Sequence, residues 1–200
     1  TKIYQHLMTC YGRQSWWPAQ TPFEMMVGAV LTQSAAWNNA EKAINNLDQA
    51  AVLSPEALRM MDIDELARLV HPSGYYNAKA GKLKALAEWL EIYNDDLPSL
   101  KRLNTMELRR ALLGVHGIGP ETADSILLYA LNRTVFVIDA YTRRLFDRLG
   151  IKPEEDSYDN WQALFMANLP ADLDLFNEYH ALIVKQCKDK CRKSPRCGDC

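Results

Sequence analysis

Only one run in this chain, Thr134–Ile138, has the β-branched make-up of a strand, and a single short strand has nothing to pair with. A sheet is excluded, so the apolar residues must be buried by helices. The remainder of the chain reads that way. Phe23–Leu31 is almost wholly apolar, as a helix covered on every side would be, and Asn38–Leu47 follows it, rich in helix formers. Ser54-Pro55-Glu56 sets a capping serine, a proline in the first turn and an acid at the positive end of the helix dipole. Asp64–Val70 gives a short helix that His71-Pro72-Ser73-Gly74 stops. Ala78–Tyr93 carries Leu83, Leu86, Ala87 and Leu90 at the spacing of an amphipathic stripe. Asn104 and Glu107 have the spacing of a capping box opening Thr105–Leu113. Glu121–Leu131, Ala140–Leu149, Asn160–Ala167 and Leu175–Lys190 complete an all-α reading. No Gly-, Pro- or Ser-rich tether interrupts the chain, so any division into domains must come from packing.

Apolar residues make up 48% and charged residues 24%, which suits a packed core and not a disordered chain. The longest apolar run, Met25–Leu31, is far short of the roughly 18 to 20 residues a bilayer requires. The net charge of −2 and the pI of about 6.1 argue at first against a nucleic-acid partner. The distribution reverses that argument. Lys185, Lys188, Lys190, Arg192, Lys193 and Arg196 face a single acid, Asp189, and Arg143, Arg144, Arg148 and Lys152 form a second basic group. The acids gather elsewhere, at Asp62–Glu65, Asp95-Asp96 and Glu154–Asp159. The chain is polarised, and binding to a polyanion would weaken steeply with salt. The cysteines are just as uneven. Cys10 stands alone, while Cys187, Cys191, Cys197 and Cys200 crowd the last fourteen positions. A disulfide framework would spread its bridges, so this cluster reads as a metal or iron–sulfur loop.

The stretch with the most chemistry runs Leu113-Gly114-Val115-His116-Gly117-Ile118-Gly119-Pro120-Glu121-Thr122-Ala123. One helix ends, two glycines flank a single apolar residue, and a second helix starts at once. Glycines permit positive φ and close approach of another backbone, and the N–H groups opening a helix attract an anion. Such a hairpin grips a phosphodiester without a lysine, or it is an ordinary αα-corner. Twenty residues beyond Gly119 comes Val137-Ile138-Asp139-Ala140-Tyr141-Thr142-Arg143-Arg144. Asp139 stands where an N-cap stands. With apolar residues before it and arginines after it, the same carboxylate could stabilise a cationic sugar or orient water.

Together the Leu-x-Gly-Val-x-Gly-Ile-Gly-x-x-Thr-Ala hairpin, the following Asp139 and the terminal cysteine loop resemble the endonuclease III superfamily of helix-hairpin-helix DNA glycosylases, over about residues 20–200. The resemblance implies a six-helix barrel at 22–132 and a second helical domain from 1–21 plus 133–200, with double-stranded DNA and a flipped damaged base in the cleft between them. It makes Asp139 the catalytic aspartate and assigns His116, Gly117, Ile118, Gly119 and Thr122 to the DNA-gripping hairpin. It also implies a monomer, found in the cytoplasm or wherever the genomic DNA lies.

One departure decides the chemistry. Members that cleave the strand place an amine-bearing lysine two residues after the last hairpin glycine, where this chain has Glu121. A carboxylate forms no Schiff base, so the expectation is a monofunctional glycosylase with water as nucleophile. Trp16-Trp17-Pro18 and Leu31-Thr32-Gln33 resemble the 3-methyladenine DNA glycosylase branch, in which aromatics at the positions of Trp16, Trp17 and Trp37 line the base pocket. Indoles suit an electron-poor alkylated purine, although each tryptophan also suits a core. Gln33 or Ser34 aligns with the residue that fills the gap left by the flipped base, or simply ends a helix. Lys79, in Tyr75-Tyr76-Asn77-Ala78-Lys79-Ala80, reaches a phosphate or is a solvated surface lysine. Cys191-x5-Cys197-x2-Cys200 resembles the family's [4Fe–4S] loop, Cys-x6-Cys-x2-Cys-x5-Cys, with one spacing shorter. The expected fourth ligand lies beyond Cys200 in a longer chain, or is Cys187, and zinc is the competing metal. The two rival functions are an endonuclease III-type enzyme for oxidised pyrimidines and a non-catalytic hairpin protein that only binds DNA.

Overall fold

The computed structural model describes residues 2–14, 16 and 19–200, residue 199 in its backbone alone. Among the described residues there is no strand. In chain order the helices are α1 (Lys2–Tyr11), α2 (Pro22–Leu31), α3 (Trp37–Gln49), α4 (Pro55–Met60), α5 (Ile63–Leu69), α6 (Tyr76–Glu91) and the single turn α7 (Leu97–Leu100). They continue with α8 (Thr105–Leu113), α9 (Pro120–Ser125) running into a π turn (Ile126–Ala130), α10 (Ala140–Arg148), α11 (Tyr158–Asn168) and α12 (Leu173–Asp189). Short 3₁₀ turns follow α5 at His71–Ser73 and close the chain at Cys197–Asp199. Among the described residues, no helix is long and apolar enough to cross a membrane.

The chain divides into two compact units, residues 19–132 and residues 1–18 with 133–200. In the first, α2 is the central helix. Thr21 caps it by accepting the Glu24 N–H at 3.1 Å, and Phe23 and every residue from Met25 to Leu31 are buried. That is the physical meaning of its all-round apolar sequence: α3, α6, α9 and the π turn pack about it. α6 buries Leu83, Leu86, Ala87 and Leu90 along one stripe and carries α4 and α5.

In the second unit α1 and α10 both pack on α12. Its core is aromatic: Phe136 stacks on Phe165 at 4.3 Å and meets Phe176 and Tyr179 edge-on. Phe136 belongs to the strand-like run. That run forms no strand, and side chains satisfy part of its backbone: Gln162 Nε2 donates to the Phe136 carbonyl at 2.8 Å, and the Ile138 N–H donates to the Tyr158 hydroxyl at 3.3 Å. Its apolar composition serves burial, with Val135, Phe136, Val137 and Ile138 all covered.

Several helices start earlier than their apolar pattern suggests, because caps lie upstream. Ser157 accepts the Asn160 N–H and Asp172 the Leu175 N–H, so α11 and α12 open at Tyr158 and Leu173. Helices α1 and α7 have no counterpart in the sequence reading.

Candidate functional site

The hairpin is built as its glycines and caps require. Asn104 caps α8 by accepting the Met106 N–H at 2.8 Å, and the helix closes at Gly114. Gly117 has φ +79°, the left-handed region, and the aliphatic stem of Lys82 lies against it. A Cβ there would fall 2.3 Å from Lys82 Cγ. Gly119 differs. It is extended, and a Cβ on it would meet nothing within 4 Å, so positive φ is not why a glycine stands there; it leaves an open approach to the backbone. Pro120 then opens α9 without an N–H of its own.

Lys79 needs correction as a DNA contact, and the side chains of Gln33, Ile118 and Thr122 are engaged within the fold. Lys79 is 1% exposed, and its Nζ donates to the carbonyls of Leu31 at 2.8 Å and Ser73 at 2.7 Å. The ammonium thus ties the C-terminus of α2 to the 3₁₀ turn after α5 and reaches no surface. Burial, aided by Lys82, lowers its pKa to about 8. Gln33 is no free wedge. Its Nε2 donates to the Gly117 carbonyl at 3.1 Å and to Thr122 Oγ1 at 2.9 Å, while Oε1 accepts from Lys82 Nζ at 2.5 Å. It braces the hairpin. Thr122 is buried within the same network, and Ile118 is buried as well, so neither side chain is on the surface. His116, Gly119 and Ser34 remain exposed, and Gly117 is half-buried. Ser34 holds φ +53°, an unusual backbone for a non-glycine residue.

Trp37 opens α3 in the unit of residues 19–132, and Trp16 lies in the other unit, half-buried, with Lys188 Nζ 5.4 Å from its ring centroid. Trp17 lies outside the described residues.

Asp139 does cap α10, accepting the Thr142 N–H on Oδ1 at 2.7 Å. It is also buried, and His180 Nε2 of α12 stands 3.4 Å from Oδ2. Burial is the largest single influence and pushes the carboxyl up. The charge and hydrogen bond of His180 and the hydrogen bonds of Thr142 together outweigh it, holding Asp139 below the ordinary carboxylate value. A carboxylate held ionised this way is a weak base and a good electrostatic partner for a cation. The sequence reading missed His180. Its signal was present: a lone imidazole in the run Tyr179–Val184, every residue of which is buried.

Two of the arginines after Asp139, Arg144 and Arg148, brace the cysteine loop. Arg144 Nε donates to the Cys191 carbonyl at 2.8 Å, and Arg148 donates to the carbonyls of Arg192 and Lys193 and lies 3.2 Å from Cys191 Sγ. Arg143 pairs with Asp156 at 2.7 Å. One helix therefore carries Asp139 at its start and secures the loop at its end. The donors of that loop suit a soft, thiolate-ligated metal, but no three His, Cys, Asp or Glu side chains among the described residues converge on one metal position. Cys197 and Cys200 are exposed, and Cys191 is buried. Cys187 is buried too, with its Sγ directed at the Tyr141 carbonyl at 3.4 Å.

Residues 27–171 match the family described as HhH-GPD superfamily base excision DNA repair protein. A protein of Methanocaldococcus jannaschii, whose name assigns it provisionally to the DNA repair glycosylases, is 48% identical over all of this chain and 91% of its own length. Endonuclease III of Sulfolobus acidocaldarius is 28% identical over 89% of this chain and 78% of its own. Among solved structures, the H. pylori 3-methyladenine DNA glycosylase bound to 1,N6-ethenoadenine superposes with a TM-score of 0.81 at 29% identity, covering 94% of this chain and 96% of that one. A non-covalent endonuclease III–DNA complex gives a TM-score of 0.85 at 20% identity over 100% and 89% of the chains, which establishes the fold. The chain belongs to the HhH-GPD superfamily of base excision DNA repair proteins, and it is a DNA glycosylase of that family.

Proposed function

We propose that this glycosylase is monofunctional and hydrolyses the N-glycosidic bond of an alkylated purine, such as 3-methyladenine, in double-stranded DNA. The observation that carries the reading is twofold: Glu121 stands in the hairpin where a Schiff-base amine would be needed, and Asp139 is a buried carboxylate with His180 3.4 Å from Oδ2. The C1′–N bond breaks with its electron pair leaving on the base. Asp139 stabilises the positive charge on the sugar, and a water that it orients adds to C1′ and gives up a proton to solvent. Alkylation makes the base a good leaving group, so the site needs no strong general acid. The likeness to the H. pylori 3-methyladenine glycosylase, at 29% identity over nearly the whole chain, supports the substrate class. Trp16, Trp17 and Trp37 are the proposed stacking aromatics. The DNA contacts fall to the backbone of Gly117 and Gly119 and to His116 and Ser34, with Gln33 and Thr122 holding the hairpin in shape. The enzyme acts as a monomer where genomic DNA lies.

Cys191, Cys197 and Cys200 are the proposed thiolates for a [4Fe–4S] cluster; the support is donor chemistry, three thiols within ten residues beside the Arg148 guanidinium. When bound, such a cluster would stiffen the loop. Iron and acid-labile sulfide assays on the purified protein distinguish it from zinc.

Names among the sequence relatives favour a second reading, an endonuclease III activity on oxidised pyrimidines. Parallel assays decide between them. Full-length protein should release 3-methyladenine from methylated duplex and leave a thymine-glycol duplex unchanged. The opposite pattern would overturn the proposal.

A further inference from the structure

We propose that His180 is a positioning residue for Asp139, holding Oδ2 so that the carboxylate stays ionised and correctly aimed. This rests on the reading of Asp139 as the carboxylate that supports base release. The two carboxylate oxygens have separate partners. Oδ1 is engaged by the Thr142 N–H at 2.7 Å as the cap of α10, and Oδ2 faces His180 Nε2 at 3.4 Å. The two side chains are 11% and 7% exposed, so water does little to fix their geometry. An imidazole within the apolar stripe of α12 has a reason to be there if it serves a buried anion. At 3.4 Å the contact is loose, which leaves Oδ2 lone-pair capacity for a second partner.

Other charged or titratable groups on the surrounding elements are held in contacts of their own. On α10, Arg143 pairs with Asp156, while Arg144 reaches the Cys191 carbonyl and lies over the Tyr141 ring. On α12, Glu178 accepts the Gln14 N–H and faces Arg13, and Lys185 pairs with Asp189. The Cys187 thiol points to the Tyr141 carbonyl and feels the Asp139 charge. On α1, Tyr4 meets Tyr179 edge-on, Tyr11 donates to Gln186, and His6 lies by Cys10. Removing His180 therefore leaves Asp139 buried with its cap alone, and burial would then raise the carboxyl toward neutrality.

The test is single-turnover release of 3-methyladenine from duplex DNA by full-length wild type, H180A, H180Q and D139N across about pH 5 to 8. With the carboxyl raised by burial, H180A should fall about tenfold below wild type at the acid end of this range and recover to within about threefold by pH 8. Gln keeps a donor at Nε2 but carries no charge, so H180Q should lie between H180A and wild type at the acid end. A pH-independent loss in H180A would reduce His180 to packing and overturn the inference. Activity in D139N would instead overturn the reading of Asp139. A second measurement needs no turnover: the ring-nitrogen chemical shifts of His180 at one fixed pH should differ between wild type and D139N, whose Asn keeps the cap. Unchanged shifts refute the contact whatever the catalytic result.

Discussion

Replacing Lys79 by Met gives the sharpest quantitative test of how the 19–132 unit is held. The ammonium has two carbonyl partners, at 2.8 and 2.7 Å, and is 1% exposed. Deleting it orphans two buried acceptors, at about 1 to 3 kcal/mol each. It also removes a buried charge. The fall from the ordinary lysine value near 10.4 to about 8 corresponds to about 3 kcal/mol at 1.36 kcal/mol per unit. These opposed contributions leave Lys79→Met within about 3 kcal/mol of wild type at pH 7. The pH dependence is more decisive. Between about pH 8 and 10.4 the unfolded chain keeps the proton and the folded chain has lost it, so wild-type stability gains with rising pH. Lys79→Met lacks that gain. Urea unfolding of both proteins from pH 7 to 10 should show wild type gaining about 2.5 kcal/mol on Lys79→Met, at up to about 1.4 kcal/mol per unit. Titrations common to both proteins, including that of Cys187, cancel in the difference. A gap that stays constant over this interval would refute a buried, charged Lys79.

Other substitutions separate structure from chemistry. Asp139→Asn should retain the α10 cap and lose base release by at least about 100-fold, whereas Asp139→Ala should lose both, with about 1 kcal/mol of stability from the cap; melting curves beside single-turnover rates make the comparison. Gln33→Ala removes the brace on Gly117 and Thr122 and should cost about 1 to 2 kcal/mol and weaken duplex affinity several-fold, measured by urea titration and fluorescence anisotropy. Arg148→Ala frees the carbonyls of Arg192 and Lys193, so proteolysis within residues 191–200 should accelerate while global stability changes by under about 1 kcal/mol.

What was legible in the chain followed local rules. Asn104 fixed the start of α8, Ser54 that of α4, and the all-apolar run identified α2 as the central helix. Asp139 could be read both as a cap and as a candidate for chemistry, because both depend on its immediate neighbours. What failed depended on distant partners. Lys79 bonds a carbonyl 48 residues away, and Gln33 bonds groups 84 and 89 residues away. No local pattern marks a lysine as buried or a glutamine as a brace. The arginines of α10 look like a DNA-facing patch until the carbonyls of residues 191–193 are found beneath them, 44 to 47 positions on. Helix α1 buries only Leu7 fully, and α7 is one turn, too short for any period to show.

The central claim is hydrolysis by water under Asp139 with no amine in the reaction. Borohydride added during turnover on a 3-methyladenine duplex tests it most directly, with the strand analysed before any alkali treatment. The account predicts released base, an intact abasic strand and no protein–DNA adduct. A borohydride-dependent covalent adduct, or a strand nicked beside the abasic site, would contradict it.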